Sequence, residues 1–123
     1  MEFENNLPIY LQVVEEIKRL LLNGELKTGE KLWSARDMAI RYKINPNTAA
    51  RVYKELEQEE LCFTKRGMGT YLTEDKTVVE RLRRERAEAL CTNFVKGFQN
   101  LGFSSEEMRV YFEQAVNAIC EEE

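Results

Sequence analysis

Two helix start signals stand close together in the middle of the chain, in "SARDMAIRYKINPNTAARVYKEL". Ser34 opens the first. With Asp37 it makes the [ST]-x-x-[DE] spacing, in which the serine accepts from a first-turn N–H while the acid reaches back. Asn45-Pro46 opens the second. Asparagine is a good cap, and proline in the first helical position gives up no needed N–H and pre-sets φ. The helix begun at Ser34 must therefore end near Tyr42-Lys43, and the next is expected to run from Pro46 to about Glu59. A short helix, a tight turn and a second helix make the helix-turn-helix pattern.

The remaining elements are read around this unit. On the second of the two helices Ala49, Val52, Tyr53 and Leu56 recur at i, i+3, i+4 and i+7, an inward face. Met38, Ala39 and Tyr42 face inward on the shorter one. Downstream, "LCFT" and "TYLT" read as strands flanking "KRGMG", whose glycines permit the positive φ of a tight hairpin. A hairpin in that place is a wing, with Lys65 and Arg66 expected at its tip. Upstream, Ile9, Val13, Ile17, Leu20 and Leu21 mark a first helix from about Pro8 to Leu22, stopped by Asn23-Gly24. "ELKTGEKL" reads as short extended pieces around a turn at Gly29.

From Asp75 onward the pattern is helical. Val79, Leu82, Leu90, Cys91, Phe94, Phe98 and Leu101 make one long stripe, ended by Gly102. Ser104 and Glu107 make a capping box, with Phe103 and Met108 placed as its hydrophobic staple. The last helix is expected to bury Met108, Tyr111, Phe112, Ala115 and Ile119. A lone hairpin of about 50 residues buries such stripes poorly, whereas two copies can pack as four helices. The expected fold is mainly α with a small β wing. A winged helix-turn-helix DNA-binding domain occupies residues 1–73, and a two-helix dimerisation hairpin occupies residues 74–123.

Composition narrows the function. The 123 residues include no histidine, and Cys62, Cys91 and Cys120 are far apart with no CxxC. No metal or other cofactor is expected, and the cysteines read as reduced thiols. Acid–base catalysis would fall on carboxylates, lysine or tyrosine, and no pair stands at a suggestive spacing, so no enzyme is expected. The longest apolar run is "LLL" and the N-terminus "MEFENNL" is acidic and polar. These predict neither a membrane segment nor a signal peptide, and a cytoplasmic protein. A net charge of −4 argues against nucleic acid, but its distribution does not. Between Lys27 and Tyr71, nine Lys/Arg face six acids, a balance of +3; from Glu74 onward, seven face eleven, a balance of −4.

The basic half carries the chemistry. Opposite the apolar stripe of the Pro46 helix stand Asn47, Arg51, Lys54 and Gln58, with no acid among them. A helix N-terminus offers free N–H groups and a partial positive charge to a phosphate. Asparagine can bond adenine bidentately, arginine can do so to guanine, and lysine more often meets phosphate. Arg36 sits in the first turn of its helix, where the dipole favours an acid, so it is assigned to a ligand. Lys65 and Arg66 on the wing can reach phosphate or the minor groove.

The marks "PIYLQ", "NGELKTGEKL", "S-x-R-D-M-A", "INPNT", "ELEQEEL" and "RGMGTYL" together resemble the DNA-binding domain of the GntR family of bacterial transcription regulators. The resemblance covers Leu7 to Leu72. The short tail and "INPNT" resemble the YtrA-type subfamily. This resemblance implies a winged helix-turn-helix that binds a palindromic operator as a homodimer, as a repressor rather than an activator. Carried over by position, the family's DNA contacts fall on Ser34 and Arg36, on Asn45, Pro46, Asn47, Thr48 and Ala50, and on Arg66 and Gly67. Gly69 and Thr70 complete the wing turn. The chain departs from the family's pattern at Pro46 and Ala50, where many relatives carry arginine. It departs also at Trp33 for proline, Ala35 for glutamate or valine, and Glu60 for the glycine that ends the recognition helix.

Partners follow from this. They are double-stranded operator DNA and a second copy of the chain, joined through Leu90, Phe94, Phe98, Leu101, Met108, Tyr111, Phe112, Ala115 and Ile119. A small-molecule effector, should one exist, has room only between subunits near Phe94, Phe98, Tyr111 and Phe112, which themselves read as core. The alternative is a winged-helix protein-interaction adaptor without DNA binding, toward which Pro46, Ala50 and the acidic pI lean.

Overall fold

In the computed structural model, which describes residues 1–120, the element order is α1 (Ile9–Leu22), α2 (Ala35–Tyr42), α3 (Pro46–Gln58), β1 (Cys62–Lys65), β2 (Gly69–Leu72), α4 (Lys76–Asn100) and α5 (Ser105–Ile119). The fold is mainly α with a two-stranded antiparallel wing, as expected.

Local chemistry sets the helix boundaries. Ser34 Oγ accepts from the Asp37 N–H at 3.0 Å, and Asn45 Oδ1 accepts from the Asn47 N–H at 2.8 Å, with Pro46 the first residue of α3. Only the first half of the expected Ser34–Asp37 exchange forms, because aspartate is one methylene short of the glutamate that completes such a box. Ser104 and Glu107 do complete theirs, and both bonds are present. Pro8 is the cap residue of α1 rather than its first helical residue.

α2, α3 and α4 share one way of stopping. The residue after the last turn is left-handed, and the next N–H donates back to a carbonyl five residues earlier. These bonds are Ile44 to Ala39, Leu61 to Leu56 and Phe103 to Phe98, at 2.9, 2.9 and 3.1 Å. The left-handed residues are Lys43, Glu60 and Gly102, at φ 55, 63 and 84.

The chain divides into two compact units, the first spanning Met1–Arg83 and the second beginning at Arg84. In the first, α1, α2 and α3 close around Val13, Val14, Ile17, Met38, Val52 and Leu56, with Leu72 from the wing. Val78, Val79 and Leu82 of α4 belong to this same core. Ile9 is exposed and Val14 takes its place in the α1 stripe. Lys18 is buried on α1, and its ammonium reaches Glu59 at 2.6 Å and Glu15 at 3.7 Å, tying α1 to the cap of α3.

In the second unit the remainder of α4 and α5 meet through rings. Phe94 touches Phe98 and Phe112, and Phe98 touches Phe103 and Tyr111, at centroid distances of 4.5 to 6.2 Å. The expectation that α5 buries five apolar residues holds for Met108 alone. Tyr111, Phe112, Ala115 and Ile119 stay exposed in the single chain, as do Leu90 and Leu101 of α4, because two helices cannot enclose each other's stripes.

Candidate nucleic-acid interface

The surface of α3 follows from its core. Ala49, Val52, Tyr53 and Leu56 are buried. At about 100° per residue, Asn47, Arg51, Lys54 and Gln58 then point most directly away from them. All four are exposed, and Asn45, Pro46 and Ala50 at the helix start are exposed as well, with Thr48 half-buried. The outward line is free of acids, but its edges are not. Glu57 accepts from the Thr64 hydroxyl of β1 at 2.5 Å, and Glu55 lines a recess of about 450 Å³ with Tyr10, Arg51, Lys54 and Gln58. The Arg51 guanidinium lies 3.9 Å from the centre of the Tyr10 ring, so it leans to the α1 edge of the helix.

Ser34 and Arg36 stand exposed at the start of α2. That start is held from inside, because the Tyr53 hydroxyl of α3 donates to the Trp33 carbonyl. Burial raises the Tyr53 phenol above its ordinary range. Arg41 lies over the Trp33 ring at 4.3 Å, and Trp33 and Tyr42 meet in a T-shaped contact at 6.0 Å. Trp33 thus serves as an apolar bracket before the cap.

The wing pairs Cys62 with Leu72, Phe63 with Tyr71, Thr64 with Thr70 and Lys65 with Gly69. Cys62 and Leu72 face the core, and burial pushes the Cys62 thiol up to about 12, with the nearby Glu57 carboxylate adding to the rise. Its tip is Arg66, Gly67 and Met68, closed by the Met68 N–H donating to Lys65 C=O at 2.9 Å with Gly67 at φ 78. Lys65 is therefore the last strand residue and not a tip residue. Its ammonium sits 4.6 Å from the Tyr71 ring centre and 5.7 Å from that of Phe63, where a cation gains from the ring faces. Lys31 forms a third edge. It bridges Tyr71, with Leu32 N–H donating to Thr70 and Leu72 N–H to Glu30 at 2.8 and 2.9 Å, and its side chain crosses Gly69.

Comparison with known proteins decides the family. The pattern described as "Bacterial regulatory proteins, gntR family" matches residues 9–72. The chain belongs to the GntR family. This GntR-family regulator is 40% identical over 107 residues to the HTH-type transcriptional regulator YhcF of Bacillus subtilis, covering 87% of this chain and 88% of that protein. It is 45% identical over 78 residues to the HTH-type transcriptional repressor YtrA of the same species, covering 62% and 60%. A GntR family transcriptional regulator from Listeria monocytogenes superimposes with a TM-score of 0.85 at 38% identity, covering 91% of this chain and 98% of that one. The likeness to YtrA places the chain among YtrA-type GntR members.

Three supports of this GntR winged helix are invisible to sequence reasoning. Tyr10 under Arg51 and Lys18 against Glu59 join α1 to α3, far apart in sequence, and Glu57 against Thr64 joins α3 to the wing. No signal in the sequence marks them: Lys18 stands beside Arg19 in "EEIKRLLL" and reads as an ordinary surface lysine. Among the described residues, no group of three or more His, Cys, Asp or Glu is placed to hold a metal, and no helix is long and apolar enough to cross a membrane.

Proposed function

We propose that the protein is a cytoplasmic transcriptional repressor that binds a palindromic operator as a homodimer. Residues 1–73 supply the DNA-binding domain and residues 74–123 the dimerisation region. The observation that carries this reading is the outward line of α3, cationic and acid-free, opening on a cap-fixed N-terminus. In this reading Asn45, Pro46, Asn47 and Thr48 enter the major groove at the positive end of the helix dipole. Ser34 and Arg36 meet the backbone beside them. Arg51 and Lys54 follow one and two turns along α3. On the wing Lys65, Arg66, Gly67, Gly69 and Thr70 reach the flanking backbone. Pro46 and Ala50 leave few base-reading side chains, so affinity depends heavily on phosphate contacts and on joining two half-sites. A small-molecule effector, if the regulator has one, enters at the aromatic cluster of the second unit, where Phe94 and Phe112 line a groove of about 560 Å³.

The test is a fluorescence-anisotropy titration of the full chain with sheared genomic duplex over a salt series. The logarithm of affinity should fall linearly with the logarithm of salt concentration. The combined Arg36→Ala, Arg51→Ala and Lys65→Ala variant should bind far more weakly at moderate salt. Unchanged affinity in that variant, or no binding by the parent at low salt, would point to a protein-interaction adaptor instead.

A further inference from the structure

We propose that Tyr10 is a positioning residue of the DNA interface, which holds Arg51 so that its guanidinium edge meets a backbone phosphate. This rests on the DNA-binding reading above and adds to it the role of a residue on a different helix. Tyr10 stands at the start of α1 and is half-buried; Arg51 is exposed on α3. The guanidinium carbon lies over the Tyr10 ring, 3.9 Å from its centre. Stacking occupies the flat face of the guanidinium and leaves its edge N–H donors free.

The choice of partner is informative. Glu55 lies one turn along α3, at the i, i+4 spacing where an ion pair commonly forms. Among the described residues no carboxylate lies within ion-pair distance of Arg51, and the side chain takes the ring instead. A neutral anchor keeps the full positive charge available, whereas a carboxylate would cancel it. Pinning also removes the rotamer freedom that a long arginine would otherwise lose on binding.

Position separates phosphate from base. The stack draws Arg51 off the line of Asn47 and toward α1, the edge of a groove-bound helix, where the DNA backbone runs. Lys54 lines the same recess and is exposed at its mouth. Glu55, half-buried in the same recess, repels an anion from its interior. The ring face, and not the phenol, performs this work.

The experiment uses the full chain and a labelled mixed-sequence duplex of about 30 base pairs, titrated by anisotropy across a salt series. A phosphate contact acts on any sequence, so no operator is needed. Tyr10→Leu and Arg51→Ala should each weaken binding about tenfold at low salt. Each should lower the salt slope by about 0.9 per subunit. Tyr10→Phe should bind like the parent. In an Arg51→Ala background, Tyr10→Leu should cause no further loss. Thermal melting of each variant shows whether the fold is kept, and Arg51→Ala with Tyr10→Phe test the idea even if Tyr10→Leu melts early. If the parent binds but Tyr10→Leu keeps its slope, or Tyr10→Phe loses it, or the losses add in the double variant, the proposal fails alone. If the parent binds no duplex, the DNA-binding reading itself fails.

Discussion

At Glu60 the backbone stands at φ 63, in the left-handed region where a side chain crowds the neighbouring carbonyl. The position is forced. The Leu61 N–H must reach Leu56 C=O, and the buried Leu56 and Leu61 make the apolar contact that accompanies such a stop. Glu60→Gly relieves the crowding at some cost in unfolded-chain entropy, and the net expectation is a gain of about 0.5–1 kcal/mol, read as a higher denaturant midpoint with unchanged slope. A lower midpoint would mean that the Glu60 side chain makes a stabilising contact that outweighs its strain. Cys62 sets a different limit. Its thiol is pushed up to about 12 by burial, and burial also raises the Tyr53 phenol. An unfolded cysteine ionises from about pH 8.5, so above that the folded chain holds protons that the unfolded chain releases. Stability should therefore be flat in this respect below about pH 8 and fall as pH rises from about 9 toward 12. Cys62→Ala should decline less steeply over that window in chemical denaturation. A parallel decline would assign the loss to other groups.

At the scale of elements, what was legible in the sequence was what is local. The starts of α2, α3 and α5 are set by Ser34, Asn45-Pro46 and Ser104, each bonding within three residues of itself. The two wing strands were legible from "LCFT" and "TYLT" flanking the glycines of the turn between them. The third edge at Lys31 was not, because it pairs with Tyr71 across 40 residues and no periodicity marks it. For the same reason the outward line of α3 was legible but the leaning of Arg51 onto Tyr10 and of Lys65 onto Tyr71 was not. The start of α3 combines a structural role with a proposed contact role, and one substitution separates them. Aspartate caps a helix as well as asparagine, so Asn45→Asp should leave thermal stability within about 0.5 kcal/mol of the parent. It also places a carboxylate where a DNA phosphate is to sit, so duplex binding should weaken sharply at low salt. A variant that melts early would show that Asn45 has structural partners beyond the Asn47 N–H. A variant that binds duplex normally would move the DNA away from this helix end.

For the molecule as a whole, the proposed pairing of two winged helices rests on the second unit. In the single chain Leu90 is 71% exposed, Leu101 73% and Ile119 81%. Phe112 meets Phe94 in a T-shaped contact yet remains exposed. Such a set of exposed apolar residues calls for a covering surface, and a second copy offers the same face in the self-complementary form that a two-fold axis requires. Two recognition helices would then span half-sites about 34 Å apart, or a multiple of that. The protein is accordingly expected to sediment at twice its 14.5 kDa chain mass. Phe112→Glu places a charge at the centre of that face and Leu90→Glu places one on an exposed residue that adds little to the hairpin's own packing. Both should sediment as single chains with helical content retained. On a palindromic duplex both should lose about 10²–10⁴ in affinity, the share that linkage of two sites contributes, while their binding to a single half-site stays close to the parent's. Single-chain sedimentation with full palindrome affinity would show that pairing occurs through the first unit or on the DNA alone. Unchanged double mass in both variants would place the covering contact elsewhere on the chain.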